Sequence, residues 1–239
     1  AYKKWKLERS NRLDLLHRMT QISGVYVPSF YSPNYLEDGR IDSIKPIQPD
    51  VPKIILKRIA GKLPPPPTKF IVPIVDVVHN RVSVEIMRGC TRGCRFCHAG
   101  MVTRPVRERS IKSIISGIDA ALKNTGFNEI ALLSLSSSDY TQINELVDEI
   151  SEKYANEHLV ISLPSLRIES FSVGLLEKLR GSRQGGFTLA PEAATDRMRN
   201  IINKPISSDQ LINTAREVYS RGWPTLKLYF MIGHPSETL

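Results

Sequence analysis

The amino-acid sequence predicts an α/β protein: a partial (β/α) TIM-type barrel, truncated after about five strands, with an irregular, proline-rich N-terminal arm. From residue 71 onward, short runs rich in β-branched residues alternate with helical stretches, which is typical of βαβ units and a parallel sheet. The loop after the first of these runs lacks the G-x-G-x-x-G pattern of dinucleotide-binding folds, so the sequence favours a barrel. Before residue 71, prolines at 28, 33, 46, 49 and 52 interrupt any regular pattern that follows a short helix near the start.

The first 70 residues predict a linker or wrapping arm with little core of its own. A short amphipathic helix is predicted over residues 13–22, and a second short helix over residues 52–60. Four consecutive prolines at 64–67 predict an extended polyproline spacer. We therefore expect residues 1–70 to form the arm and residues 71–239 to form the barrel domain, which would be incomplete at its C-terminus.

The barrel region contains five predicted strands and four predicted helices. The strands are Arg81–Met87, Glu129–Leu135, Leu159–Leu163, Gly186–Ala190 and Thr225–Ile232. The helices are Ile111–Asn124, Tyr140–Ala155, Val173–Leu179 and Ser208–Arg221. In a barrel of this kind the chemistry is located at the carboxyl ends of the strands, so the loops after the strands are where a site is expected.

Charge is distributed unevenly along the chain. The 239 residues carry 33 Lys and Arg against 24 Asp and Glu, a net charge of +9, and residues 1–110 alone hold 20 basic and 9 acidic residues. Such a basic excess can attract nucleic acid, a phosphorylated substrate or an anionic cofactor, so RNA stays open as a partner. No apolar run approaches the roughly 18–20 residues of a membrane span, so no membrane partner is expected.

The three cysteines fall within eight residues, at Cys90, Cys94 and Cys97, directly after the first predicted barrel strand. An odd number of cysteines at this spacing does not suggest a disulfide framework. It suggests thiolates gathered around a metal or a cluster in a reducing compartment, and we therefore expect a cytoplasmic protein.

Three metal groups compete for the spacing C-x3-C-x2-C. Zinc would take His98 as a fourth ligand, although adjacent Cys97 and His98 would bind one ion awkwardly. The stretch from Cys94 to His98 also matches the C-x-x-C-H attachment motif of c-type haem, which would leave Cys90 unused. A four-iron cluster held by only three cysteines would leave one iron open to bind another molecule.

The cysteine spacing, with Phe96 as an aromatic before the third cysteine, resembles the radical S-adenosylmethionine (radical SAM) superfamily over roughly residues 71–239. Six segments resemble the subfamily that carries a cobalamin-binding domain before the radical domain: Glu85–Cys90, Cys97–Gly100, Leu135–Tyr140, Ser162–Arg167, Leu189–Ala193 and Met231–Thr238. Residues 20–75 resemble the stretch between those two domains, so the resemblance implies that this sequence is a fragment.

The resemblance implies an enzyme with a [4Fe–4S] cluster on Cys90, Cys94 and Cys97. Its expected chemistry is reductive cleavage of S-adenosylmethionine to a 5′-deoxyadenosyl radical, which abstracts hydrogen from an unknown substrate, RNA or another modification target. The resemblance also implies an electron donor such as flavodoxin or ferredoxin, and it leaves open a cobalamin held by a domain absent from this sequence. The alternative is a zinc-stapled, non-enzymatic nucleic-acid-binding module, which the basic N-terminal half suggests.

Eight contacts to S-adenosylmethionine are implied by the same resemblance: Phe96, Ser136, Ser137, Ser162, Ser165, Arg167, Glu192 and Lys204. Plainer interpretations stand beside them. The two adjacent serines replace the Gly-Gly-Glu usual in the family and could simply cap the next helix. Arg167 and Lys204 could be solvated surface charges, and Phe96 could simply pack beside its loop. The roles of His98 and His234 stay open.

Overall fold

The computed structural model of the chain describes residues 1–75, 77–164, 166–168, 174–175 and 187–238. Its contacts divide the chain into two compact units, Ala1–Gly61 and Lys62–Leu239. The predicted division into an arm and a barrel domain at residue 70 concerns the roles of the two regions, and it stays a prediction.

The first unit is built from two short helices and a hairpin. The helices are α1, Tyr2–Glu8, and α2, Arg12–Thr20, and the antiparallel hairpin pairs β1, Tyr31–Tyr35, with β2, Ile41–Pro46. Its core is small, because the buried apolar side chains in this unit are those of Val27, Phe30 and Val51.

The structure corrects the prediction for this unit at three places, the first of which is helix α1, which was not predicted. The helix predicted over residues 13–22 is present as α2, but the helix predicted over 52–60 is absent. The hairpin was missed because Pro33 and Pro46 lie in its strands. Both prolines are tolerated there because, in a two-stranded hairpin, each strand has an open edge at which a missing N–H leaves no partner unpaired.

The second unit contains five parallel strands at the predicted positions. Strands β3, Val82–Glu85, β6, Glu129–Leu133, and β7, Val160–Ser162, form one parallel sheet in that order. Strands β8, Phe187–Glu192, and β9, Leu226–Phe230, form a second parallel pair. The α/β class with a partial, unclosed barrel is confirmed, because described helices connect β3 to β6, β6 to β7 and β8 to β9, and the described strands do not close a ring.

Five helices of this unit are described, and a short antiparallel pair joins two of its loops. The helices are α3, His98–Val102, α4, Ile111–Thr125, α5, Ile143–Lys153, α6, Asp196–Ile201, and α7, Ser208–Ser220. The pair is β4, Met87–Arg88, with β5, Arg107–Glu108. Of the predicted helix Val173–Leu179, only residues 174–175 lie within the described residues, and they are helical.

The core of the second unit lies between the sheet and the inner faces of α4 and α5. Ile114 and Ile118 of α4, together with Leu146 and Ile150 of α5, are fully buried in one cluster with the strand side chains. Each such side chain contributes about 1.5–3 kcal/mol when it leaves water. This packing holds the ends of β3 and β6 in fixed positions, and the candidate site is built on the loops that follow them.

Candidate functional site

The cysteines lie on one loop, which we call the cysteine loop and define as residues 89–97, between β4 and α3. Cys90 and Cys94 are buried, and Cys97 is half-buried. Cys97 is also the N-cap of α3, because its sulfur accepts the N–H of Gly100 at 3.2 Å. The cysteines therefore lie where the sequence places them, in the loop after the carboxyl end of the first barrel strand.

Two glycines let this loop fold tightly. Gly89 has a φ of +93°, and a Cβ placed there would lie 2.8 Å from the carbonyl oxygen of Pro105 and 2.9 Å from that of Thr103. A Cβ on Gly93 would lie 2.8 Å from Nδ2 of Asn203. Position 89 excludes larger residues by its backbone conformation and its backbone neighbours, whereas a side chain at position 93 would require the amide of Asn203 to move.

Arginines hold the backbone of the cysteine loop. Arg104 donates from Nε to the carbonyl oxygen of Cys90 at 3.2 Å and from Nη2 to that of Arg92 at 2.7 Å. Arg92 in turn forms a two-pronged ion pair with Asp139 beyond β6, with N–O distances of 3.0 and 2.6 Å. A planar guanidinium suits such a fork, so the loop is tied to the end of the neighbouring strand.

Two further arginines fix the strand end that precedes the cysteine loop. Arg88 and Arg109 both donate to the carboxylate of Glu85, at 2.6–3.1 Å. These bonds, that of Arg88 first, hold the pKa of Glu85 below its ordinary value although partial burial opposes them. The side chain of Arg109 is buried and also donates to the carbonyl oxygen of Glu85 at 2.7 Å. The strand end that precedes the cysteines is thus fixed by paired charges.

The two serines after β6 are fully buried, and their hydroxyls are bonded within their own loop. Ser136 donates from Oγ to Oδ2 of Asp139 at 2.7 Å, and Ser137 donates to the carbonyl oxygen of Leu132 at 3.0 Å. Neither caps the next helix, because α5 begins only at Ile143 and its N-cap residue makes no side-chain cap bond. Their proposed contact to S-adenosylmethionine stays a prediction.

The loop after β7 approaches the cysteines through Arg167. Its Nη1 lies 3.8 Å from Sγ of Cys94, and its backbone N–H donates to Oγ of Ser138 at 3.1 Å. Ser162 is half-buried as the last residue of β7, and Ser165 lies outside the described residues. Arg167 therefore brings a positive charge to the sulfur of one candidate ligand and is not a plain surface arginine.

Glu192 and Lys204 form an ion pair at the end of β8. Oε1 of Glu192 lies 3.0 Å from Nζ of Lys204, and the two side chains are 15% and 9% exposed. Glu192 has a φ of +69°, in the left-handed region that non-glycine residues rarely adopt. Lys204 is consequently not an ordinary surface lysine. Its partner Glu192 combines backbone strain with a largely buried charge.

The aromatic of the cysteine loop lies beside a histidine from the end of β9. The ring centroids of Phe96 and His234 are 6.3 Å apart, and the buried Nε2 of His234 has no hydrogen-bond partner among the residues that the structure describes. Phe96 remains partly exposed, so packing does not account for its whole surface. His98, the first residue of α3, is exposed.

A further set of contacts reaches the cysteine loop from the turn after α6. The backbone N–H of Arg95 donates to the carbonyl oxygen of Ile202 at 2.9 Å, and Nδ2 of Asn203 donates to that of Gly93 at 2.8 Å. Sequence reasoning missed Arg92, Asp139 and Asn203 as site residues. The sequence signal that could have found Arg92 is its position between two cysteines, because a charge beside a candidate metal site is expected to have a partner.

The thiols of the cysteine loop fit an iron–sulfur cluster by their chemistry. Thiolates are the ligands of such clusters, and a cationic guanidinium beside Cys94 offsets part of their negative charge. Within the described ranges, no three or more His, Cys, Asp or Glu side chains are grouped so that they could hold one metal ion. A four-iron cluster takes each thiolate on a different iron, so three cysteines need not converge on a single ion.

Comparison with known families and proteins gives one family match. The family model of the radical SAM superfamily matches residues 84–239. An uncharacterized protein of Methanocaldococcus jannaschii is 34% identical over 155 residues, covering 65% of this chain and 33% of that protein. Ribosomal protein uS12 methylthiotransferase RimO of Sulfurimonas denitrificans is 22% identical, covering 65% and 37%.

The name of a third relative gives a different target, a tRNA. Threonylcarbamoyladenosine tRNA methylthiotransferase MtaB of Treponema pallidum is 24% identical, covering 67% of this chain and 34% of that protein. The chain thus spans about a third of the length of the curated relatives that it matches.

Two solved structures share the fold. The radical S-adenosylmethionine methyltransferase TsrM of Kitasatospora setae, with cobalamin and a [4Fe–4S] cluster bound, superposes with a TM-score of 0.55 at 14% identity, covering 66% of this chain and 32% of that one. The cobalamin-dependent enzyme OxsB, with aqua-cobalamin and S-adenosylmethionine bound, gives 0.51 at 18% identity, covering 64% and 24%. At these identities the likeness concerns the fold.

Across the described ranges, no helix combines the length and the apolar character that a bilayer crossing requires.

Proposed function

Because this chain belongs to the radical SAM superfamily, we propose that it holds a [4Fe–4S] cluster on Cys90, Cys94 and Cys97 and uses it to cleave S-adenosylmethionine. The observation that carries the proposal is the cysteine loop: three cysteines within the matched region, on one tight loop after the first parallel strand. Members of this superfamily are enzymes, so the non-enzymatic zinc module and the haem protein are set aside.

When bound, the cluster supplies one electron to S-adenosylmethionine, whose carbon–sulfur bond breaks to give methionine and the 5′-deoxyadenosyl radical. The chain's own residues would orient the reactants. Arg167 and Lys204 carry the positive charge suited to the carboxylate of the methionine part, and Glu192 can accept from its amino group. Phe96 presents a partly exposed ring near the cysteines, suited to the adenine.

The serines contribute less directly to this proposal. Ser136 and Ser137 are fully buried and bonded to their own loop, so we assign them to shaping the loop after β6 around the amino group. Ser162 stands at the end of β7, where a hydroxyl can reach a ribose, and Ser165 is assigned to the same role from the resemblance alone.

The substrate and the partners are proposals about the whole protein. RNA is the first substrate class to test, since MtaB by its name modifies tRNA and the first 110 residues carry most of the basic excess. An electron donor such as flavodoxin or ferredoxin would supply the reducing electron. Cobalamin is supported by the fold likeness to TsrM and OxsB, and none of the 239 residues is assigned to it.

Anaerobic reconstitution with iron and sulfide tests the cluster. We expect about four irons per chain, brown protein, and 5′-deoxyadenosine when S-adenosylmethionine and dithionite are added. Cys94→Ala should lose both the cluster and the product, because the buried thiol is one of three ligands. Thr91→Ala, an exposed change in the same loop, is the matched control and should retain both.

Other outcomes would contradict the proposal in distinct ways. One zinc per colourless chain would support a zinc site, and a covalent red chromophore would support haem. A Cys94→Ala variant that kept the iron of the wild type would remove this residue from the ligand set.

A further inference from the structure

The turn that follows α6 touches the cysteine loop on both sides of Cys94. The carbonyl oxygen of Ile202 accepts the backbone N–H of Arg95 at 2.9 Å, and the side chain of Asn203 donates to the carbonyl oxygen of Gly93 at 2.8 Å. Arg95 also donates from Nη1 to the carbonyl oxygen of Ile201. The residues immediately before and after one candidate ligand are therefore bonded to a single turn, residues 201–204, which we call the anchor turn.

The anchor turn is itself well fixed. Its backbone closes with N–H donations from Asn203 to Asn200 at 3.1 Å and from Lys204 to Arg199 at 2.8 Å. Arg199 is buried and donates to the carbonyl oxygen of Ala193 at 3.1 Å and to Oγ of Ser208 at 2.9 Å. The turn is thus a rigid support, because a buried guanidinium bonds to residues on either side of it.

Asparagine suits position 203 for two independent reasons. Its φ is +56°, in the left-handed region that asparagine and glycine tolerate better than other residues. Its side chain also supplies the donor for Gly93, and any Cβ on Gly93 would meet that donor at 2.8 Å. The fit therefore requires a small residue on the loop and a short amide on the turn.

The next residue of the same turn belongs to the candidate S-adenosylmethionine site. Lys204 pairs with Glu192 at 3.0 Å, and this pair is largely buried at the end of β8. Adjacent residues of one turn thus reach the cysteine loop and the charged pair. A change at Asn203 can consequently alter the cysteine loop, through the lost bond to Gly93, and the charged pair, through the backbone of Lys204.

We propose that the anchor turn couples the cluster loop to the S-adenosylmethionine carboxylate site, with Asn203 as a positioning residue for both. The inference rests on the proposed function. Asn203 holds the carbonyl of Gly93 and thereby the direction of the Cys94 thiol. Through the backbone it also fixes the place at which Lys204 presents its ammonium group.

The test compares Asn203→Gly with His158→Gly in the full chain after anaerobic reconstitution. Glycine tolerates the left-handed backbone at position 203 and removes the side chain with its amide donor, while it adds backbone freedom to the unfolded chain. His158 is exposed and has a φ of +50°, so its replacement repeats the backbone change away from the site. Three quantities are measured: the rate of iron release to a chelator, the electron paramagnetic resonance spectrum of the reduced cluster, and the S-adenosylmethionine concentration that perturbs this spectrum.

We expect Asn203→Gly to release iron about three- to tenfold faster than the wild type, the effect of one lost hydrogen bond. Its spectrum should be altered, and it should need several-fold more S-adenosylmethionine, while His158→Gly matches the wild type. An Asn203→Gly variant equal to the control in all three, even with a lower melting temperature, would overturn the coupling and leave a structural role. Wild-type protein that takes up no iron would overturn the cluster proposal, and this inference with it.

Discussion

Glu192 combines two features that are unfavourable when they stand alone. A non-glycine residue with a φ of +69° carries about 1–3 kcal/mol of backbone strain, and its largely buried carboxylate requires a partner. Lys204 supplies that partner at 3.0 Å. The surrounding structure maintains this strain, which indicates that the direction of the Glu192 side chain matters. This agrees with the proposed contact of Glu192 to S-adenosylmethionine.

Glu85 should make the stability of the protein depend on pH in the acid range. Its folded pKa lies below the ordinary value of 4.5, chiefly because Arg88 donates to it, so its contribution is complete above that value. The contribution is lost as the pH falls through the lower, folded pKa, where the carboxylate takes up a proton. We expect the cluster-free protein to show this loss in urea unfolding as the pH falls below 4.5.

The variant Glu85→Gln identifies the residue responsible. It should lower the free energy of unfolding at neutral pH by about 1.5–3 kcal/mol, because the buried Arg109 loses a charged partner. It should also flatten the acid dependence, whereas Glu152→Gln on the exposed side of α5 should leave that dependence unchanged. Parallel pH curves for wild type and Glu85→Gln would assign the acid dependence to other groups.

At the scale of elements, the helices and strands that the sequence predicted correctly are those that depend on the periodicity of apolar residues and on short motifs. The five strands and helices α2, α4, α5 and α7 lie where apolar patterns placed them, and β3, β6, α4 and α5 bury their apolar positions in the main core. The short helices α3 and α6 were missed, since five or six residues carry too few periodic positions to show a pattern.

The candidate site was predictable to the extent that it is local in sequence. The cysteine spacing is contained in eight residues, and Glu192 and Lys204 are twelve residues apart within a motif. The contacts from Arg92 to Asp139 and from Asn203 to Gly93 join residues 47 and 110 positions apart. Such pairings are set by how strands and helices pack, and a single sequence holds no direct signal of them.

Gly89 should be intolerant of any side chain. Gly89→Ala combines a strained left-handed backbone with a Cβ only 2.8 Å from the carbonyl oxygen of Pro105, which is backbone and cannot rotate away. We expect a loss of about 2–4 kcal/mol in the free energy of unfolding, together with a lower iron content after reconstitution. Gly61→Ala, where a Cβ meets nothing within 4 Å, is the control and should leave the iron content at the level of the wild type.

Unfolding in urea and iron analysis of both variants measure these effects. An alanine at position 89 that retained full stability and iron would show that the loop can adopt another path.

At the scale of the molecule, the two units should differ in local stability. The first unit has a core of three buried apolar residues, whereas the second buries the inner faces of α4 and α5 against its sheet. Regions with few buried apolar contacts open more readily. Amide hydrogen exchange followed by mass spectrometry should therefore show fast exchange across Ala1–Gly61 and slow exchange in α4 and β6.

The exchange experiment has a clear contrary result. Equal protection in both units would mean that the first unit is stabilised by more than its own core. Amide hydrogen exchange around the cysteine loop should differ between chains with iron and chains without it. The exchange of α1 and α2 should be the same in both.

The long separation between Asn203 and Gly93 has a consequence for the order of synthesis. The cysteines leave the ribosome 110 residues ahead of the turn that anchors their loop, which at about 5–20 residues per second is a delay of about 5–20 s. During that interval the three thiols are on a nascent chain whose loop can form its bonds to Arg104 and Asp139 but lacks those to the anchor turn. If the loop holds the proposed cluster, iron and sulfide can reach a fully anchored loop only after α6 has been translated. Before that time, the thiols are open to oxidation and to binding of other metal ions.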